Sequence, residues 1–161
     1  MILPDSELHS TNDFYARQVI LPEIGQQGQT RLHQSRVLVI GAGGLGSPIL
    51  MALAGAGVGH LTVVDHDIVS ASNLNRQFLY TVADIGQSKA TIARERLLAY
   101  HPDLEVTALD QTFTAALARD VIPDHDLVVA AVHNRSARRL INRACYQLGK
   151  PWIDGGVRGF S

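Results

Sequence analysis

The order of apolar and polar positions along the chain predicts short buried strands that alternate with helices. Residues 36–40 read Arg-Val-Leu-Val-Ile, a continuous apolar run rich in β-branched residues that is typical of a buried strand. Glycines follow at once, and residues 45–57 then form an apolar segment of helical length. This part of the chain therefore predicts a strand, a tight turn and a helix.

The same alternation continues to residue 154. Further strands are predicted at residues 61–65, 105–109, 126–131 and 150–154. Further helices are predicted at residues 89–100, 114–121 and 135–148, the last one ended by Gly149. Because strands that alternate with helices form parallel sheets covered on both sides, we expect a Rossmann-like α/β fold with a mostly parallel sheet and helices on both faces.

Two parts of the chain are distinguished by this pattern. Residues 1–34 are predicted to form an N-terminal helical preamble, with short helices on either side of Pro22, and residues 35–161 to form the Rossmann-like domain. The sequence stops after the fifth predicted strand without a closing helix. We therefore expect a fold truncated after that strand, whose open sheet is completed by another chain or by further sequence.

Composition narrows the class of partner. The chain has 161 residues with 46% hydrophobic content, and 14 Lys and Arg nearly balance 15 Asp and Glu, which argues against nucleic acid. A single cysteine excludes an internal disulfide framework or a four-cysteine zinc cluster from this chain. No signal-peptide pattern and no apolar run of membrane-spanning length is present, so no membrane association and a cytoplasmic location are expected.

The glycine-rich segment Gly41-Ala-Gly-Gly-Leu-Gly46 lies between the first predicted strand and the first helix. In this context Gly41 permits a tight turn, Gly43 and Gly44 allow phosphate oxygens to approach the backbone, and Gly46 allows the helix to pack closely on the sheet. Asp65, at the end of the second predicted strand, is placed to accept hydrogen bonds from ribose hydroxyls. A nucleotide site is predicted, and these residues alone leave NAD and ATP open.

Three further segments carry a family resemblance: Phe14-Tyr-Ala-Arg-Gln18, the run Asp-His-Asp-Ile-Val-Ser-Ala-Ser-Asn-Leu-Asn-Arg-Gln at 65–77, and Gly86-Gln-Ser-Lys-Ala90. With the glycine segment, they resemble the ThiF, MoeB and HesA group of adenylyltransferases, relatives of the ubiquitin-activating E1 enzymes. The resemblance extends from about residue 15 to residue 159. It implies a nucleotide-binding domain that uses ATP to adenylylate the C-terminal carboxylate of a small ubiquitin-like or sulfur-carrier protein, with the C-terminal half of the family fold absent.

The resemblance also implies roles for individual residues. Arg76 and Lys89 match phosphate-contacting residues, and Arg17 matches an arginine that reaches into the partner's ATP site in family dimers, so a homodimer is expected. The other matches are expected to contribute to the cofactor site: Asn73, Gln77, Asp67 and Asn134. The alternative for the three basic residues is an ordinary role as solvated surface cations.

One family motif is altered. Where the family has an Asp-x-x-Asp-Asn stretch, whose second Asp coordinates Mg²⁺, this chain has Ala130-Ala-Val-His-Asn134. Mg²⁺ prefers carboxylate and water oxygens, so His133 is a poor replacement and the metal ligands are unknown.

Three interpretations of His133 remain open. The chain is a degenerate subunit that binds nucleotide or carrier protein without efficient catalysis, or His133 belongs to a modified active site with Arg76, Lys89 and a metal held by ATP and Asp67. In the third interpretation His133 only caps the following helix. An NAD-dependent oxidoreductase is a further alternative, although no catalytic pair for hydride transfer is visible in the sequence.

Overall fold

The computed structural model describes residues 14–156. Residues 1–13 and 157–161, which belong to the two predicted parts of the chain, lie outside the described residues. The elements in this range, in chain order, are α1 (Ala16–Val19), α2 (Gly25–Gln34), β1 (Arg36–Ile40), α3 (Gly46–Ala56), β2 (His60–Val64), α4 (Lys89–Tyr100), β3 (Glu105–Leu109), α5 (Ala115–Val121), β4 (Leu127–Ala130), α6 (Arg135–Leu148) and β5 (Trp152–Asp154). Short 3₁₀ turns occupy Ala71–Asn73, Val82–Asp84 and Ile122–Asp124. No helix within the described range is both long and apolar enough to cross a membrane.

The five strands form one sheet in the order β3-β2-β1-β4-β5, and each of the four neighbouring pairs is parallel. The predicted Rossmann-like parallel sheet is thus confirmed. The chain moves outward from β1 through β2 to β3 and then returns to the other side of β1 at β4. Loops that follow β1 and β4 therefore diverge, which leaves a crevice at the carboxyl ends of these strands.

Apolar side chains of the central strands alternate between two cores. Val37 and Val39 belong to the core on one face, which includes Leu50 of α3 and Leu97 of α4. Leu38, which is fully buried, faces the other core, formed with residues of α5 and α6 that include Ala118 and Ile141. The prediction of helices on both faces is confirmed, and burial on both faces explains why the strands are continuous apolar runs.

The N-terminal helices pack against the C-terminal ends of α3 and α4. Gln18 and Gln29 both donate hydrogen bonds from Nε2 to the carbonyl oxygen of Ala56, at 3.0 and 3.1 Å. The buried Tyr15 hydroxyl lies 2.5 Å from Nε2 of His101. Helices form on both sides of Pro22 as the sequence predicts, whereas the treatment of residues 1–34 as a separate preamble stays a prediction.

Candidate nucleotide-binding site

A cavity of about 720 Å³ lies in the crevice at the carboxyl ends of the strands. Its volume falls within the range of about 300–1,000 Å³ that is usual for small-molecule sites. Eleven of the residues predicted from the sequence line it: Gly41, Gly43, Gly44, Asp65, Asp67, Asn73, Arg76, Gln77, Lys89, His133 and Asn134. Gly46 and Arg17 are not among its lining residues.

The four glycines of the turn fall into two pairs that differ in how closely a Cβ atom would approach its neighbours. Gly41 has a φ of +98°, and a Cβ there would lie 2.6 Å from the carbonyl oxygen of Ala131. A Cβ on Gly46 would overlap the carbonyl oxygen of Gly41. A Cβ on Gly43 or Gly44 would meet nothing closer than 3.7 or 3.5 Å, respectively. The fold therefore requires glycine at the first pair, whereas a Cβ at the second pair would make only ordinary contacts with Gln77 and Arg76.

The glycine turn presents backbone donors to the cavity. No acceptor among the described residues bonds to the N–H groups of Gly43 and Gly44. These groups directly precede α3, where the helix dipole favours an anion. Tyr80 stabilises the turn, because its hydroxyl donates a hydrogen bond to the carbonyl oxygen of Ala42 at 2.8 Å. Sequence reasoning missed Tyr80, because a tyrosine in an irregular segment carries no local signal of this contact.

Asp65 follows the last residue of β2 and ties the glycine turn to the next loop. Its Oδ2 accepts a hydrogen bond from the N–H of Ala42 at 2.7 Å, and its Oδ1 accepts one from the N–H of Asp67 at 2.8 Å. A carboxylate offers about four lone-pair sites, so it retains acceptor capacity toward a ligand hydroxyl. Asp65 thus has a structural role that the sequence did not predict, in addition to its position on the cavity wall.

Lys89 and Asp67 form an ion pair beside the cavity. Lys89 Nζ lies 3.0 Å from Asp67 Oδ2, with the lysine side chain 5% exposed and the aspartate side chain 49% exposed. The hydrogen bond from Lys89 is the main cause that lowers the pKa of the Asp67 carboxyl group. A buried ammonium group needs a partner, and Asp67 supplies one to Lys89 at the start of α4.

Arg76, Gln77 and Asn73 come from the irregular segment between β2 and α4. The exposed Arg76 donates from Nη1 to the carbonyl oxygen of Ser72 at 2.9 Å and to Oδ1 of Asn75 at 3.0 Å. Gln77 is 4% exposed, and its Oε1 has no hydrogen-bond partner among the described residues. An orphaned buried acceptor at a cavity wall is a feature that a bound molecule or ordered water would satisfy.

The two altered motif positions at the end of β4, Ala130 and His133, have different surroundings. Ala130 is fully buried in the apolar core shared with α5 and α6, whereas His133 is exposed and lines the cavity. Asn134, not His133, caps α6, since its Oδ1 accepts a hydrogen bond from the N–H of Ala137 at 2.7 Å. The interpretation of His133 as a helix cap is therefore wrong.

Two parts of the cavity wall were not predicted. The loop after β3 contributes residues 111–113, and α6 contributes Arg138. Arg138 donates to the carbonyl oxygen of Gly155 at 2.7 Å and lies 3.0 Å from the carboxylate of Asp154. It also donates to the carbonyl oxygen of Val132 at 3.1 Å, so it links the loops after β4 and β5. These contacts join distant segments, which explains why no local motif signalled them.

The carboxylates of the cavity do not fit a magnesium ion held by the protein. Ligand atoms of Asp65, His66 and Asp67 lie within 4.8 Å of one another. However, both oxygens of Asp65 accept backbone hydrogen bonds, Asp67 is paired with Lys89, and the third ligand is an imidazole. Mg²⁺ demands oxygen ligands in near-octahedral geometry, so this set is a poor match for it.

Comparison with known proteins places this chain in a family. The model of the ThiF family matches residues 15–161. The chain belongs to the ThiF family. The resemblance inferred from the glycine segment and the 65–77 run is thereby confirmed.

Curated relatives of this ThiF-family chain include two sulfur-carrier adenylyltransferases. The chain is 46% identical over 148 residues to the sulfur carrier protein adenylyltransferase of Thermus thermophilus, covering 92% of this chain and 55% of the relative. It is 42% identical over 146 residues to the sulfur carrier protein ThiS adenylyltransferase of Escherichia coli, covering 91% and 58%. The chain thus spans little more than half the length of these relatives.

A solved structure gives a similar picture of the fold. The crystal structure of E. coli MccB with AMPCPP and MccA matches with a TM-score of 0.80 and 25% identity, covering 92% of this chain and 44% of that one. The ThiF-family fold of this chain is therefore found in a protein crystallised with a nucleotide analogue.

The two glycine pairs generate a prediction about stability and binding. Gly46→Ala should lower the free energy of unfolding by roughly 1–3 kcal/mol, because its Cβ overlaps the Gly41 carbonyl oxygen. Gly44→Ala should change it by less than about 0.5 kcal/mol yet weaken ATP binding. Chemical denaturation and titration calorimetry would measure both quantities. Unchanged ATP affinity in Gly44→Ala would contradict the assignment of this turn to the phosphate groups.

Proposed function

We propose that this chain binds ATP in the cavity and transfers its AMP group to the C-terminal carboxylate of a small ubiquitin-like or sulfur-carrier protein. The observation that carries the proposal is the convergence on one cavity of the glycine turn, Asp65, Arg76 and Lys89. Relatives named as sulfur-carrier adenylyltransferases support the same activity and the same class of partner.

The proposed orientation of the nucleotide follows from the chemistry of the cavity wall. The phosphate groups would lie over the backbone N–H groups of Gly43 and Gly44, and the ribose hydroxyls would lie toward Asp65. Arg76, whose stem packs against Gly44, and Lys89 would contact the phosphate oxygens. Asn73, Gln77 and the amide of Asn134 would supply neutral polar contacts.

The proposed reaction brings two anions together. A carboxylate oxygen of the carrier attacks the α-phosphorus of ATP and forms the acyl-phosphate bond, while the bond from that phosphorus to the bridging oxygen breaks and pyrophosphate leaves. Repulsion between the carboxylate and the triphosphate opposes this approach, so fixed positive groups lower the barrier. In this chain Arg76, Lys89 and the donors of the glycine turn would provide that charge.

A second candidate is a subunit that binds nucleotide and carrier without efficient catalysis. The specific observation in its favour is that the carboxylates of the cavity are already engaged in internal hydrogen bonds. This subunit would bind ATP without exchanging pyrophosphate when the carrier is present. An oxidoreductase would instead be stabilised by NAD in preference to ATP, a difference that ligand-dependent melting detects.

Arg76 offers a clean test of the phosphate assignment. Arg76→Ala should weaken ATP binding by about tenfold or more, the value of a lost charge-assisted hydrogen bond, and should change adenosine binding little. Arg143→Ala, which removes an exposed arginine of α6 away from the cavity, is the matched control. Titration calorimetry with ATP and adenosine measures both affinities. Equal weakening of the two ligands would contradict the assignment.

Arg17 leads to a proposal about assembly. It is exposed on α1 and does not line the cavity of its own chain. We propose that the protein forms a homodimer in which Arg17 of one chain reaches the nucleotide of the other.

The homodimer predicts complementation between two inactive variants. A dimer that mixes Arg17→Ala with Arg76→Ala would contain one cavity with an intact Arg76 and an intact Arg17 from its neighbour. We expect a mixture of the two variants to recover up to about a quarter of wild-type pyrophosphate exchange per chain. Half of random dimers are mixed, and one of the two sites in each mixed dimer is complete. Exchange no greater than the mean of the two separate variants, despite mixed dimers by mass spectrometry, would refute the role in trans.

A further inference from the structure

The acidic and basic side chains on the cavity wall differ in whether they are already held by internal hydrogen bonds to other parts of the chain. Asp65 and Asp67 are the only carboxylates among its described lining residues, and both are held by internal hydrogen bonds. The positive side chains on the same wall are Arg76, Lys89 and Arg138. Of these, Arg76 bonds only to neutral oxygens within the described part of the chain.

Two imidazoles lie beside these charges. His66 Nε2 is 3.6 Å from Asp67 Oδ1, and His133 lines the same cavity from the loop after β4. An imidazole donates an N–H hydrogen bond in its neutral and charged forms, which suits a phosphate oxygen. It is a poor ligand for Mg²⁺, which prefers oxygen.

Asp67 is not free to take a metal in place of Lys89. Before a nucleotide binds, moving its carboxylate to a cation would leave Lys89, whose side chain is only 5% exposed, without its partner. An unpaired buried charge is costly, so the ion pair resists being opened. Among the described residues, the cavity wall is therefore rich in nitrogen donors and has no carboxylate that is free of internal hydrogen bonds.

We infer that this site binds a nucleoside triphosphate without any protein ligand to magnesium, and that His133 is one of the groups that contact the phosphates in the metal's place. The inference rests on the proposed binding of ATP in this cavity. It adds that affinity for the nucleotide does not require a divalent cation, and it assigns His133 to phosphate binding.

The test compares binding of the non-hydrolysable analogue AMPCPP in excess chelator and in excess magnesium, using the longest natural form of the protein. The variants are His133→Asn, which removes the imidazole, and His133→Asp, which adds a carboxylate. His33→Asp is the matched control, because His33 is exposed on α2 and does not line the cavity. Melting temperatures without ligand check that each variant is folded.

We expect the unmodified protein to bind AMPCPP with affinities in the two conditions that agree within roughly threefold. His133→Asn should bind more weakly in both conditions. His133→Asp should bind at least about tenfold more weakly in chelator, because its charge opposes the phosphates, and magnesium should restore much of the loss. His33→Asp should behave like the unmodified protein.

Two results would overturn the inference while leaving ATP binding intact. One is tighter binding by about tenfold or more in magnesium for the unmodified protein. The other is an unchanged affinity of His133→Asn in chelator, which would exclude contact between His133 and the phosphates. Absence of AMPCPP binding by every folded form would instead refute the proposed function, and the inference with it.

Discussion

The close approach of backbone segments at the end of β1 is the constraint on which the rest of the structure depends. Gly41 packs against the carbonyl oxygen of Ala131, and Gly46 packs against Gly41, at separations that no Cβ would permit. This contact sets the start of α3 beside the loop that follows β4, at the point where strand order reverses. Asp65 and Tyr80 then fix the turn through hydrogen bonds to Ala42. The backbone donors of the turn are thereby held open to the cavity.

Because the glycine turn fixes where an anion would lie, the positions of the surrounding charged side chains determine how strongly they act on it. Lys89 is buried and paired with Asp67, so its amino group is held in place before any ligand binds. Arg76 is exposed and bonded only to neutral groups among the described residues, which leaves its charge available to a phosphate. Positive groups that are positioned before the reaction need little reorganisation when charge develops in the transition state. The proposed adenylylation uses this arrangement, because its central difficulty is repulsion between carboxylate and triphosphate.

Local patterns predicted the elements of this fold because strands that are buried on both faces appear in the sequence as continuous apolar runs, separated by segments of helical length. Strand Arg36–Ile40 and helix Lys89–Tyr100 have the predicted bounds, and the glycine turn follows the strand as expected. The motif could not distinguish glycines required by packing from glycines at which a Cβ would fit, because that difference depends on Ala131 and other distant neighbours. Arg138 was missed for the same reason, since its partners lie on two separate loops.

The central claim, that a carrier carboxylate attacks the α-phosphorus of ATP bound in this cavity, is tested most directly by following the attacking oxygen. The full-length protein would be given ATP and a cognate carrier whose C-terminal carboxylate carries heavy oxygen, and hydroxylamine would cleave the acyl-adenylate at its carbonyl carbon. Mass spectrometry of the released AMP would measure the label. The account predicts AMP that contains one heavy oxygen atom from the carrier. Carrier-dependent AMP without the label, or no AMP from a folded protein that binds ATP, would contradict it.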